Sequence, residues 1–186
     1  MKKIKILALL QARTSSSRLP GKVLLDILGT PMLLRQIERE NLVVSIDHLV
    51  VVTSSDKSDD LLSEVLHEND IDYYRGSLND VLDRFYQAAK LYKPEHVVRL
   101  TGDCPLVDPE VVENVIRMHI DTNADYTSNI FPATYPDGLD VEVMKFSALE
   151  IAWKESKLPS EREHVTPLIR NDKERFVHSN LEYSCD

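Results

Sequence analysis

The sequence predicts an α/β fold in which a doubly wound sheet lies between two layers of helices, a three-layer α/β/α arrangement. Three continuous apolar runs, at residues 4–11, 49–53 and 96–100, are typical of strands that helices cover on both faces. Segments with apolar residues at helical spacing separate these runs, so strands and helices alternate over the first 120 residues. This alternation favours parallel strands that are joined by helical crossovers.

The helices of this first part begin at recognisable residues. The start signals, in chain order, are Pro31 before Leu33, Asp59 and Asp60 before Leu61, Ser77 and Asp80 before Val81, and Asp108 with Pro109 before Val111. Short polar side chains cap the free N–H groups of a first turn, and proline fits the first helical position. From residue 124 onward the sequence predicts further strands, near 126–129 and 139–143, and two helices. For these helices, the pairs Ser147 with Glu150 and Ser160 with Glu163 fit capping boxes.

Length and composition indicate one domain that spans residues 1–186, since a chain of this length can bury most of its surface in one core. The 22 basic and 31 acidic residues give a net charge of −9, which disfavours nucleic acid as a partner. Two cysteines are too few for a disulfide framework. No apolar run approaches the roughly 20 residues of a membrane span. We therefore expect a cytoplasmic protein that binds neither nucleic acid nor a membrane.

A cationic, hydroxyl-rich loop follows the first strand. Its cations are Arg13, Arg18 and Lys22, and its hydroxyl groups belong to Thr14, Ser15, Ser16 and Ser17. Arginine can hold phosphate oxygens bidentately, lysine adds a point charge, and hydroxyl groups with loop amides can complete a polyphosphate cradle. The loop is not a Walker A loop, because Ser16 stands where the first glycine is needed, and it lacks the G-x-G-x-x-G fingerprint. Its place after a strand favours phosphate binding, and a solvated basic loop is the alternative.

A second candidate segment, residues 99–108, follows the third apolar run. Asp103 comes directly after Gly102 at the end of the predicted strand, where a carboxylate can hold Mg²⁺ against a phosphate. Asp108 is better explained as a helix N-cap. Cys104 is interpreted as a half-buried structural cysteine rather than a nucleophile, because no histidine has a diagnostic spacing to it. The six histidines show no zinc-ligand spacing.

Two further segments carry polar side chains whose role the residues alone leave open. The first contains Arg75, Ser77, Asn79, Asp80, Asp83 and Arg84, between a strand and a helix. These side chains are candidates for contacts to a base or ribose, but Ser77 and Asp80 are also ordinary capping residues. In the second, Asp137 and Gly138 read as a turn. Asp140 and Glu142 follow, and alternation places them on one face of a strand, as candidates for a second metal ligand or for sugar hydroxyl contacts.

Together these segments resemble the sugar cytidylyltransferases, which include the CMP-KDO and CMP-acylneuraminate synthetases. The loop from Gln11 to Lys22 is similar to the signature loop of that family. Residues 75–85, 101–105, 135–140 and 162–167 resemble the spore coat polysaccharide biosynthesis SpsF-like branch. The five motifs occur in order, and the resemblance covers essentially the whole chain.

The resemblance implies a nucleotide-diphospho-sugar transferase (Rossmann-like) fold and transfer of CMP from CTP to a small sugar, with release of pyrophosphate, in surface or spore coat polysaccharide biosynthesis. It also implies Mg²⁺ as cofactor and a homodimer that forms through the region after Phe131. The implied catalytic residues are Arg13, Lys22 and Asp103. The implied nucleotide-binding residues are Gln11, Ala12, Arg13, Ser17, Arg18, Lys22, Arg75, Ser77, Asp80 and Gly102. The metal ligands are expected to be Asp103 and Asp140, and the sugar-binding residues Asp137, Asp140 and Glu142.

One departure from the family leaves alternatives open. Family members usually continue with a C-terminal segment that carries a late metal-binding aspartate, and this sequence ends at Asp186 without it. Either the chain is truncated, or Asp140 or Glu142 takes that place, or the protein binds nucleotide without efficient turnover. The competing functions are a nucleotide-sugar-dependent glycosyltransferase and a non-catalytic nucleotide-binding subunit. A glycosyltransferase of this kind normally needs an Asp-x-Asp pair, and residues 103–105 lack the second acid.

Overall fold

The computed structural model describes residues 5–15 and 19–184 of the chain. The strands are β1 (Ile6–Gln11), β2 (Asp26–Ile27), β3 (Thr30–Pro31), β4 (His48–Ser54), β5 (Tyr73–Gly76), β6 (His96–Thr101), β7 (Tyr126–Ser128), β8 (Glu142–Lys145) and β9 (His178–Asn180). Seven of them form one sheet in the order β5-β4-β1-β6-β8-β7-β9, and β2 pairs with β3 in a separate hairpin. The three apolar runs of the sequence are the central strands β1, β4 and β6.

Helices cover both faces of the sheet, as predicted. They are α1 (Met32–Glu40), α2 (Asp60–Glu68), α3 (Val81–Tyr92), α4 (Pro109–Asp121), α5 (Phe146–Glu155), α6 (Pro159–His164) and α7 (Pro167–Asn171). Buried residues of α1, α2 and α4 pack with alternate strand residues such as Ala8 and Val51 on one face. Buried residues of α3, α5 and α7 pack with Leu7, Val50 and Val97 on the other. None of the helices in the described ranges combines the length and apolar composition needed to cross a bilayer.

The sheet is parallel in its first half and mixed in its second. Strands β5, β4, β1 and β6 run parallel, so their carboxyl ends share one edge. Strand β8 runs antiparallel to both β6 and β7, while β7 and β9 run parallel. Because β8 is reversed, the residues that precede it, and not those that follow it, lie at the carboxyl edge of β6. The approach to β8 therefore reaches the edge at which open α/β sheets bind ligands.

Two local predictions are wrong. Strand β8 begins at Glu142, so Asp140 lies before the strand, exposed, whereas the Glu142 side chain is 2% exposed. These two acids therefore do not share one solvent-facing strand surface. The predicted capping boxes also fail, because α5 begins at Phe146 and Ser147 and Ser160 lie inside helices. By contrast, the carboxylates of Asp80 and Asp108 cap α3 and α4.

Candidate active site

The loops that follow β1 and β6 meet at the carboxyl edge of the sheet. The N–H of Gly102 donates to the carbonyl of Gln11 at 2.7 Å. A Cβ atom on Gly102 would lie 2.9 Å from that carbonyl oxygen and 3.0 Å from the Cβ of Ala12. Only glycine allows the two strand ends to approach this closely. Gln11 and Ala12, both predicted to bind nucleotide, therefore lie directly beside the segment that carries Asp103.

An ion pair joins these two loops. The Nζ atom of Lys22 lies 2.6 Å from Oδ2 of Asp103, and both side chains keep partial access to solvent. Burial alone raises the pKa of Asp103, but the hydrogen bond and charge of Lys22 outweigh it, so the pKa lies below its usual value. Asp103 is therefore ionised at neutral pH, as a metal ligand must be. Two of the three predicted catalytic residues, Lys22 and Asp103, therefore lie together.

A buried amide braces the Asp103 segment from behind. The Nε2 group of Gln36, in α1, donates to the carbonyl of Thr101 at 2.8 Å, and its Oε1 accepts from the N–H of Cys104 at 3.1 Å. The same Nε2 group donates to Glu40, whose pKa burial raises to about 8. Gln36 is completely buried. Sequence reasoning missed it, although a glutamine among the apolar positions of α1 is a readable signal that a buried polar partner exists.

A second buried side chain anchors the loop after β1. Asp59 accepts hydrogen bonds from the N–H of Thr14 at 2.7 Å and from its hydroxyl at 2.8 Å, and it also accepts from Ser54. Asp59 is completely buried. The sequence suggests only a helix start at this position, because its partners lie in loops distant along the chain. Asp59 fixes the backbone next to Arg13.

Arg13 lines a cavity of about 490 Å³ between its loop, the start of α3 and α6. Within the described residues, Arg13 forms no hydrogen bond or ion pair with another side chain. The cavity is also lined by Lys157 and Arg162 and by the acids Asp80 and Glu163, and Arg162 is paired with Asp80. Arg13, which has no such partner among the described residues, is therefore the natural contact for an anionic ligand in this cavity. Ser17 and Arg18, also predicted to bind nucleotide, lie outside the described residues.

The carboxylates predicted to hold a metal come near each other at the same edge. Asp140 keeps access to solvent, but partial loss of hydration raises its pKa, and the charges of Asp137, Glu142 and Asp103 raise it further. A divalent cation beside Asp103 and Asp140 would relieve this repulsion, and carboxylate oxygens are the ligands that Mg²⁺ prefers. These two residues therefore fit a metal site. In the part of the chain that the structure describes, no group of three or more His, Cys, Asp or Glu side chains forms a complete one. The remaining ligands would come from water and phosphate, as is usual for Mg²⁺.

Other predicted site residues already have partners in the protein. Arg75 donates to the carbonyl of Ser54 and pairs with Asp60 at 2.7 Å. The hydroxyl of Ser77 accepts from the N–H of Asp80. The carboxylate of Asp80 caps α3 and binds Arg162 at distances of 2.6–3.0 Å. The contact between Asp80 and Arg162 forms part of the cavity wall next to Arg13.

Glu142 is enclosed by the fold. Its carboxylate accepts hydrogen bonds from Arg99, from the hydroxyl of Tyr126 and from that of Thr166. With all three partners in place, this buried acid is structural in the conformation described and offers no free carboxylate to a sugar.

The turn that contains Asp137 is closed at its base by a buried asparagine. The amide of Asn129 donates to the carbonyl of Leu139 at 2.7 Å and accepts from the N–H of Val141 at 2.9 Å. This contact holds Asp140 at the sheet edge. Cys104, in the neighbouring segment, is half-buried, and burial raises the pKa of its thiol. A thiol with a raised pKa is a poor nucleophile, in agreement with the structural role predicted for it.

Comparisons with known proteins agree with this architecture. Residues 7–184 match the Cytidylyltransferase family. An uncharacterized protein of Methanocaldococcus jannaschii is 39% identical over 181 residues, which cover 96% of this chain and 72% of that protein. The spore coat polysaccharide biosynthesis protein SpsF of Bacillus subtilis is 36% identical over 171 residues, 89% of this chain and 70% of SpsF.

Solved structures show the same fold. A cytidylyltransferase from Leptospira borgpetersenii superposes with a TM-score of 0.92 at 34% identity, over 98% of this chain and 78% of that one. A CMP:2-keto-3-deoxy-manno-octonic acid synthetase complexed with CTP superposes with a TM-score of 0.71 at 18% identity, over 96% and 90%. The predicted nucleotide-diphospho-sugar transferase fold is confirmed. With its family match spanning nearly all of its length, the chain belongs to the cytidylyltransferase family.

Proposed function

We propose that this enzyme transfers a cytidylyl group from CTP to a hydroxyl group of a small sugar in polysaccharide biosynthesis. The observation that carries the proposal is the Lys22–Asp103 ion pair, which lies at the ligand-binding edge of the sheet. The polysaccharide role is supported by the similarity to SpsF.

In this reaction the sugar oxygen attacks the α-phosphorus of CTP, the bond to the β-phosphate oxygen breaks, pyrophosphate leaves, and the hydroxyl proton passes to solvent. Such a transfer depends on positioning and charge neutralisation more than on covalent catalysis. Lys22 and Arg13 would bind the triphosphate and neutralise the departing pyrophosphate, with Arg18 assisting. An arriving triphosphate competes with Asp103 for the Lys22 ammonium group, which is within reach because the ion pair is partly exposed.

Asp103 and Asp140 would hold the Mg²⁺ ion. When bound, the ion withdraws negative charge from phosphate oxygens and so makes the α-phosphorus more susceptible to attack. The turn at residues 137–140 would face the sugar, since Asn129 holds it beside Asp103 at the same edge. Asp137 then offers a carboxylate that can accept hydrogen bonds from sugar hydroxyl groups.

The first test is thermal unfolding with CTP, UTP, ATP, GTP or dTTP, each with MgCl2. A ligand at 100 times its dissociation constant adds about 2.7 kcal/mol of stability, which corresponds to several degrees in Tm. We expect CTP to give the largest shift, and the sugar substrate to be identified by CTP-dependent pyrophosphate release. Stabilisation by another nucleotide in preference to CTP, or none by any nucleotide, would contradict the proposal. Pyrophosphate release also separates this reaction from glycosyl transfer, which releases a nucleotide.

A further inference from the structure

Arg84, in α3, has a buried guanidinium group with no partner among residues 5–15 and 19–184. The residue is 0% exposed, and within those ranges none of its three guanidinium nitrogens has a hydrogen-bond partner. The other well-buried arginines differ: Arg99 pairs with Glu142, and Arg162 pairs with Asp80. Burying a cation without a partner costs free energy, so an apolar residue would be the simpler choice for this position. Packing of the core therefore does not explain why this position carries a charged residue.

The position of Arg84 directs its charge to the ligand-binding edge. Helix α3 begins just after β5, so its N-terminus lies at the carboxyl edge of the sheet. Long helical side chains lean toward the N-terminus of their helix. The stem of Arg84 passes against Gly76, where an added Cβ would lie 2.7 Å from the Arg84 Cγ. The last residue of β5 thus leaves room for the side chain to run toward the strand ends.

The surrounding charges leave Arg84 uncompensated. Burial lowers its pKa to about 10, and the positive charge of Arg13 also lowers it, while Asp59 and Asp80 act in the opposite direction. Neither acid touches the guanidinium. Asp59 binds Thr14 and Ser54, and Asp80 caps α3 and binds Arg162. Arg84 and Arg13 are therefore two unpaired guanidinium groups that repel each other in the described structure.

We propose that Arg84 is a positioning residue of an anion site, where its buried charge acts with Arg13 to bind the polyphosphate of the nucleotide. An anion beside Arg13 would relieve the repulsion between the two arginines and supply the countercharge that Arg84 lacks. Because the guanidinium is shielded from water, its attraction for that anion is screened less than that of a surface arginine. The identification of the anion as the triphosphate of CTP rests on the proposed function, whereas the existence of an anion site does not.

The test compares Arg84→Met with Arg84→Lys, and with Arg117→Met as a matched control on an exposed face of α4. Dissociation constants for sodium tripolyphosphate and for CTP with MgCl2 are measured by calorimetry, and unfolding in urea is measured without ligand. We expect Arg84→Met to weaken both ligands about 10- to 100-fold, Arg84→Lys to recover part of the loss, and Arg117→Met to match the wild type.

Unfolding in urea gives a second readout. If Arg84 served only to stabilise the fold, its replacement would lower the urea concentration at which the protein unfolds. Since an unpaired buried charge is unfavourable, Arg84→Met is expected to unfold at a urea concentration no lower than the wild type. Wild-type dissociation constants for both ligands in folded Arg84→Met would overturn the inference. If Arg84→Met does not fold, the same constants measured on Arg84→Lys and Arg84→Gln decide, because lysine keeps the charge and glutamine removes it. If tripolyphosphate binding depends on Arg84 but the protein does not prefer CTP, the anion site is supported. In that case only the proposed function is contradicted.

Discussion

The ammonium group of Lys22 lies 2.6 Å from Oδ2 of Asp103, although the two residues are 81 positions apart in the chain. Their side chains are 24% and 41% exposed. An ion pair as open as this one contributes only about 0–1 kcal/mol to folding. The pair therefore matters for the chemistry at the sheet edge more than for stability.

Replacing Lys22 by methionine tests this relationship. Without the lysine, burial is the main influence left on Asp103, so the pKa of this carboxyl is expected to rise above its usual value. Turnover should fall about 10²–10³-fold. As the pH is lowered, the remaining activity should disappear at a higher pH than in the wild type. NMR titration of the Asp103 carboxyl checks the pKa, with Lys154→Met as a control. An unchanged pKa in Lys22→Met would contradict the assignment.

Asp103→Asn tests the proposed metal-binding role of Asp103 and Asp140. Removing one negative charge lowers the repulsion on Asp140, so the pKa of Asp140 is expected to fall while turnover decreases by about 10²–10³-fold. The Mg²⁺ concentration needed for half-maximal activity should rise in Asp140→Asn. Asp108→Asn is the control, because asparagine can also cap α4. Wild-type turnover in Asp103→Asn would rule out its role as a metal ligand.

Gly102→Ala tests the close approach of the two strand ends. The new Cβ would lie 2.9 Å from the Gln11 carbonyl, so the loops must separate, at a cost of about 1–3 kcal/mol. CTP affinity should fall together with stability. Gly29→Ala provides the comparison, because its φ of +82° makes alanine unfavourable by about 1 kcal/mol although no atom lies within 4 Å of the added Cβ. If both variants bind CTP equally well, the close approach does not matter for binding.

Acid sensitivity is predicted from a buried histidine pair. Nδ1 of His96 lies 3.0 Å from Nε2 of His119, whose other nitrogen lies 2.9 Å from the hydroxyl of Thr127. Burial lowers the pKa of His119 to about 3, with smaller contributions from the charges of His96 and Lys145. The unfolded chain therefore binds more protons below pH 6.5. The stability is fully present above that pH and is lost as the pH falls toward 3, at about 1.4 kcal/mol per pH unit from this residue.

Urea unfolding at pH 7.5 and at pH 5.0 measures this effect. His119→Gln is expected to reduce the difference between the two pH values by about 2 kcal/mol, since glutamine does not titrate. His67→Gln, on an exposed part of α2, is the control. An equal pH dependence in the wild type and in His119→Gln would contradict the prediction.

The parts of the molecule that sequence reasoning predicted well depend on local pattern. The apolar runs at β1, β4 and β6 identify central strands because each is covered on both faces. Asp103 was found because it follows such a strand. The sequence predicts Asp140 and Glu142 on one face of a strand, but the strand begins only at Glu142, and β8 is an interior strand, which its four residues do not reveal.

The contacts of Asp59 and Gln36 and the burial of Arg84 could not be predicted from the sequence, which offers Arg84 only as a candidate for base or ribose contacts and Asp59 only as a helix start. The importance of these residues lies in distances to loops far along the chain, and in the absence of a partner for Arg84 within the described ranges. Neither quantity is encoded by local periodicity. The sequence does show polar residues at positions that face the core. It does not show which groups these residues contact.

The two hydrogen bonds of the Asn129 side chain, to the carbonyl of Leu139 and from the N–H of Val141, separate the loop at residues 130–140 from the sheet. They close this loop at its base, and Asn180 and Tyr183 hold residues 131–134, so residues 135–138 can change in sequence without disturbing the sheet. The loops after β1 and β6 belong to the parallel half of the sheet and do not depend on these residues. With the turn facing the sugar, as proposed, acceptor preference and nucleotide binding would therefore be free to evolve separately.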